Sequence, residues 1–142
     1  MALRFINPKS LGPPRGYANG VLAPRGGTLL FIAGQVGWDE SQRIVSDDFV
    51  EQFDRALANV IAVVTEAGGT PDQIARLVIY VTDKHEYRAR RGEVGQRWRA
   101  RMGSHFPAMA LVEVNGLLED EARVEIEGVA VLGGELSERE GR

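Results

Sequence analysis

From Phe49 to Val64 the apolar positions recur every three or four residues: Phe49, Val50, Phe53, Leu57, Val60, Ile61 and Val64. That spacing gathers them on one face of a helix, with Ser46 or Asp47 as its cap and Gly68-Gly69 as its end. Elsewhere the pattern is that of strands. Thr28 to Gln35 (TLLFIAGQ) is a short apolar run with a glycine near its end, which predicts a buried strand with a bulge or a close approach. Gln73 or Ile74 to Thr82 is apolar and β-branched and predicts a second core strand. Ala108–Val114 and Arg123–Leu132 predict two more, and Val21–Ala23 a short one closed by the turn Pro24-Arg25-Gly26-Gly27. Residues 84–102 predict a second, weaker helix with Tyr87, Val94, Trp98 and Met102 facing inward. The first sixteen residues, with Pro8, Pro13, Pro14, Gly12 and Gly16, read as an irregular lead-in, and the charged tail after Gly133-Gly134 as frayed.

The order β-β-α-β-α-β-β predicts an α+β sandwich whose two helices cover one face of a sheet. Residues 108–114 (AMALVEV) and 123–132 (RVEIEGVAVL) are apolar enough on both faces to predict that another subunit covers the second face. With 142 residues, 44% of them hydrophobic, the chain fits one domain around one core.

Composition mostly excludes. A net charge of −3 and a charged fraction of 26% ask for neither nucleic acid nor membrane. With no cysteine there is no disulfide, thiolate nucleophile or thiolate metal site. The N-terminus lacks an apolar signal core, and no run approaches the roughly 18–20 apolar residues that span a bilayer, so a soluble cytoplasmic protein is expected. His85 and His105 stand twenty residues apart without acidic partners at ligand spacing, so no metal site is expected. No nucleophile elbow, Walker A or dinucleotide fingerprint occurs. Lys84 to Arg101 holds seven basic residues against Glu86 and Glu93; Arg88, Arg91 and Arg99 fall outside the apolar stripe, so the segment reads as a solvated helix face rather than an RNA grip.

One pair of segments goes further. Phe106-Pro107-Ala108-Met109-Ala110-Leu111-Val112-Glu113-Val114, followed by Arg123-Val124-Glu125-Ile126-Glu127-Gly128-Val129-Ala130-Val131, resembles the C-terminal signature of the RidA (YjgF) family, approximately F-P-A-R-x-x-V-E-V, a short loop and V-E-I-E-x-x-A-V. Gly16-Tyr17-Ala18 is similar to the family's G-P-Y segment, without its proline, and Ile32-Ala33-Gly34-Gln35-Val36 to its S-G-Q strand end. The resemblance covers roughly residues 12–132, taken as the core of a single domain spanning 1–142 with a charged tail at 133–142. It implies a chorismate-mutase-like two-layer sandwich, with a mixed sheet and two helices on one face, assembled as a homotrimer with clefts between subunits. It also implies cofactor-independent hydrolysis of small reactive imines and enamines, such as 2-aminoacrylate, to carbonyl compounds and ammonia.

In such deaminases the arginine of P-A-R pairs with the substrate carboxylate, and a glycine, a tyrosine and a glutamate complete the pocket. Carried over, these are Gly34, Tyr17 and Glu125, while the arginine position is Met109. Tyr17 and Glu125 are then the candidate catalytic residues, with Gly34, Met109, Phe106 and Arg123 as candidate substrate-binding residues. An arginine fork holds a carboxylate through two parallel hydrogen bonds, whereas methionine has no donor and suits an apolar group or plain core packing. Charge-assisted hydrogen bonds contribute about 1.5–3 kcal/mol each, so carboxylate binding should drop at least about tenfold. Arg15, beside Tyr17, and Arg123, which strand alternation sets on the face of Glu125, are the candidate replacement cations. Alternation also puts Glu125 and Glu127 on a common face, and either could line the cleft. The expected function is thus RidA-like chemistry with weak or lost activity on 2-imino acids. The alternatives are a non-catalytic trimer binding a small metabolite or protein partner in the same cleft and, more remotely, RNA binding or cleavage.

Overall fold

The computed structural model describes residues 2–134. In chain order its elements are β1 (Arg4–Ile6), β2 (Gly20–Leu22), β3 (Gly27–Val36), α1 (Phe49–Glu66), β4 (Ile74–Val81), α2 (Lys84–Ala89), α3 (Arg91–Met102), β5 (Ala108–Glu113) and β6 (Val124–Gly133). The main sheet runs β3-β6-β4-β5, antiparallel except for the parallel β4–β5 pair, and β1–β2 form a separate antiparallel ribbon. The fold is the expected α+β sandwich with a mixed sheet. The expected tail lies mostly outside the described residues.

Most strand ends shift by a residue from the sequence reading, and four differences have a local reason. The lead-in contains a strand, β1, whose three residues are all exposed and so leave no hydrophobic period to read. It is tied to β2 by the ladder and by Asn7 Oδ1, which accepts from the Asn19 backbone N–H at 2.7 Å. Asp48, rather than Ser46 or Asp47, caps α1: its carboxylate accepts from Glu51 N–H at 3.0 Å, while Ser46 Oγ accepts from the Asp48 N–H. The helix expected over 84–102 is two helices, which makes three α-helices among the described residues. Arg90 leaves helical geometry (φ −113°, ψ 24°), and its guanidinium bonds both the Asp48 cap and Glu93 in the first turn of α3. Finally, the last strand starts at Val124, one residue later than expected.

The two faces of the sheet have different fates. Leu77, Ile79 and Val81 of β4 lie opposite Gly128, Ile126 and Val124 of β6, and the side chains of all but the glycine meet Phe53, Leu57 and Val60 of α1 in the core. Burying each such side chain contributes about 1.5–3 kcal/mol. Trp98, Val94 and Met102 bring α3 into the same cluster. The alternate positions, Val78 and Tyr80 against Glu127 and Glu125, form the other face, joined by Leu29 and Phe31 of β3 and Val112 of β5. Phe31 is 73% exposed and Leu29 55% exposed, an apolar surface with no cover in the single chain.

Two polar devices tie the helical layer, one to the loops and one across its own seam. Gln52 is fully buried in α1; its Nε2 donates to Ser46 O and Glu121 O, and its Oε1 accepts from Arg123 N–H at 2.8 Å. Across the α1–α3 seam, Arg101 donates twice to Asp54, at 2.7 and 3.0 Å, and Arg97 lies 3.2 Å from the same carboxylate. The Arg101 hydrogen bonds are the main reason the Asp54 carboxyl is held below its usual pKa.

Replacing Gln52 with Leu strands three backbone groups, and each unsatisfied buried group costs about 1–3 kcal/mol. Urea unfolding should show a loss of about 2–4 kcal/mol once partial hydration is allowed for. A second outcome concerns acid. Because the Asp54 pKa is depressed on folding, the stability it contributes is complete above its unfolded value of about 3.9 and is lost as pH falls through the lower folded value. Asp54→Asn should therefore cost about 1 kcal/mol at pH 7, and its urea midpoint should converge with that of the wild type only as pH falls below the unfolded value of about 3.9 and through the lower folded one.

Candidate active site

The chain before β2 is pinned to the start of β5. Ala18 N–H donates to Pro107 O at 3.0 Å and Ala18 bridges to Ala108, which brings Tyr17 beside Met109 on the open edge of the sheet. Met109 pairs with Leu77, a core residue, so its side chain points toward the helices. Behind it Phe106 stacks on Trp98, with centroids 5.8 Å apart and planes 9° from parallel, and Trp98 Nε1 donates to His105 O at 3.0 Å. Between this edge and α3 lies a cleft of about 650 Å³ that Tyr17, Phe106 and Met109 line together. Its floor is apolar, from Phe53, Ile79 and Leu111.

Among the described residues three arginines also line this cleft: Arg15, Arg91 and Arg99. Arg15 was a candidate from sequence. The two α3 arginines were not, having been read as a solvated face. The signal that marks them is their spacing: Arg91, Gly95 and Arg99 recur every four residues, a stripe one position beyond the buried stripe of Val94 and Trp98.

Gly34 and Glu125 meet elsewhere. Gly34 lies in the bulge that shifts the β3–β6 register between Ile32 and Gln35, the irregularity expected from that glycine. A β-carbon at Gly34 would collide with the Glu125 carboxylate, so only glycine leaves that carboxylate where it stands. Glu125 pairs with Tyr80, on the face opposite to that of Met109. Its neighbour Glu127 is engaged differently: Tyr80 OH donates to it at 3.0 Å, a bond that is the main cause holding the phenol above its usual pKa. Of the two carboxylates, Glu125 is the one at the bulge glycine.

Arg123 joins neither group. Preceding β6, it escapes the alternation that would set it beside Glu125, and its guanidinium lies 3.6 Å from Glu86, over a separate hollow shared with Asp47, Thr82 and Asn115. Among the described residues no cluster of three or more metal-ligating side chains occurs, and no helix is long and apolar enough to cross a membrane.

The architecture matches that of solved Rid proteins. A conserved Rid-family protein of unknown function from Yersinia pestis superposes with a TM-score of 0.80 at 33% identity, covering 93% of this chain and 100% of that one. A family model described as Endoribonuclease L-PSP matches residues 9–132, and the chain belongs to this family, the RidA/YjgF family. Among relatives, a RutC family protein of Pyrococcus abyssi is 32% identical over 87% of this chain and 89% of its own length. A 2-iminobutanoate/2-iminopropanoate deaminase of Salmonella typhimurium is 31% identical over 87% and 91%.

Proposed function

We propose that the protein is a homotrimeric, cytoplasmic imine/enamine deaminase of the RidA type whose clefts no longer anchor a carboxylate next to the reacting carbon. The observation that carries this reading is the floor of the cleft: Met109, at the position where the family signature has arginine, lines it together with Tyr17 and Phe106. The relative named as an iminobutanoate/iminopropanoate deaminase supports the reaction class.

The chemistry needs no cofactor. Glu125 acts as general base on a water, whose oxygen bonds to the imine carbon while the C=N π pair moves to nitrogen and takes up a proton. Tyr17 donates a hydrogen bond to the charge that develops. The carbinolamine then loses ammonia as the C–N bond breaks and the carbonyl forms. Within one chain Glu125 and Gly34 lie on the sheet face opposite to Met109, so this division of labour requires the carboxylate of a neighbouring subunit. The uncovered apolar face with Leu29, Phe31 and Val112 supports such a neighbour. RNA cleavage is disfavoured, because the cleft contains no histidine and His105 Nε2 is 2.7 Å from Ile74 O.

The test is ammonia release from freshly generated 2-aminoacrylate and from a small imine without a carboxylate. The wild type should turn over the second and act poorly on the first. Met109→Arg should improve the first by about tenfold, the equivalent of one charge-assisted hydrogen bond. Turnover of neither imine supports the rival reading, a trimer that binds a small metabolite or partner without catalysis. Fast wild-type turnover of 2-aminoacrylate contradicts the role given to Met109.

A further inference from the structure

The basic residues of α3 divide into two sets. Arg97 and Arg101 face α1 and are neutralised there by Glu51 and Asp54. Arg91 and Arg99 are exposed on the cleft side, and neither forms an ion pair among the described residues. Arg91 has its guanidinium carbon 5.9 Å from the Tyr87 ring centroid, an aromatic contact rather than an acidic one.

Gly95, midway between them, makes their arrangement specific. Side chains on a helix lean toward its N-terminus, and Arg99 does so: its Nη1 lies 3.3 Å from the point where a β-carbon of residue 95 would sit. With no side chain at 95, the Arg99 guanidinium folds back along the helix toward Arg91. Arg15 approaches the same cleft from the loop before Tyr17. Among the described residues no aspartate or glutamate lines the cleft. Within one chain, three guanidinium groups therefore border an apolar floor with no carboxylate among the described lining residues to balance them, which raises the local affinity for anions.

We infer that this rim binds the carboxylate of an amphipathic substrate, with Arg91 and Arg99 as its specificity-determining residues. The apolar or aromatic body of the substrate rests on Met109, Phe106 and Leu111. This deepens the deaminase reading and rests on it for the reaction: the anionic group has moved from the strand floor, where Met109 has no donor, to the helix rim. The substrate class is then an imine whose carboxylate is separated from the C=N carbon by an apolar spacer, rather than a 2-imino acid. Arginine suits the task because its planar fork takes both carboxylate oxygens and keeps its charge at any physiological pH.

Calorimetric titration with unreactive probes tests the rim separately from catalysis. 3-Phenylpropionate should bind about tenfold more tightly than its neutral amide and than propionate, which lacks the apolar body. Raising salt from 50 to 500 mM should weaken the carboxylate and leave the amide unchanged. Arg91→Gln/Arg99→Gln should bring the carboxylate down to the affinity of the amide. Equal wild-type binding of carboxylate and amide, no binding of the carboxylate, or undiminished binding by the double variant would each overturn the inference; the first two need no variant. If the rim behaves as expected but no imine is hydrolysed, the deaminase reading falls and the anion site stands. If imines are hydrolysed without any carboxylate preference, the anion site alone falls.

Discussion

The rest of the structure depends on the alternation of β6 from Val124 to Ala130. Val124, Ile126 and Ala130 are buried against α1, and that fixes Glu125 and Glu127 on the other side of the sheet. A slip of one residue would drive two carboxylates into the core, so the register is among the most strongly specified features of the molecule. The same ladder orders both halves of the candidate site. Through β4 it sets Met109 toward the helices, and through the β3 bulge it brings Gly34 against Glu125. A chain built this way divides its candidate residues between two surfaces that face apart. Under the proposed function its chemistry becomes a property of assembly.

Met109 changes what that assembly would do. A methionine on a floor of Phe106, Ile79 and Leu111 makes the cleft a place for apolar atoms, with water-exposed arginines at its mouth. The neighbouring ion pairs sharpen the contrast, since Asp48, Glu51 and Asp54 are already used by Arg90, Arg97 and Arg101. The arginines that remain, Arg91 and Arg99, face the cleft because their spacing sets them on another side of α3 from Arg97 and Arg101.

Much of this was legible in the sequence, and the gaps have physical causes. The long elements declared themselves: α1 through its 3.6-residue period, β4 and β6 through β-branched runs, and the bulge through Gly34. The short ribbon strand β1 did not, because three exposed residues carry no burial signal. Nor did the break at Arg90, which follows from ion pairs with Asp48 and Glu93 rather than from a helix-breaking residue. The P-A-R position pointed to Met109, and Tyr17 and Phe106 line the same cleft. Arg91 and Arg99 were hidden because a lone helix cannot tell a face turned to solvent from one turned to a cleft. Arg123 misled because alternation was extended one residue past the start of its strand.

The measurement that bears most directly on this account is the mass of the protein in solution, by sedimentation equilibrium at the concentrations used for activity. The account predicts three times the 15.6 kDa of the chain, since Glu125 and Met109 can share a cleft only if different subunits supply them. A species of 15.6 kDa that still hydrolyses imines would contradict it.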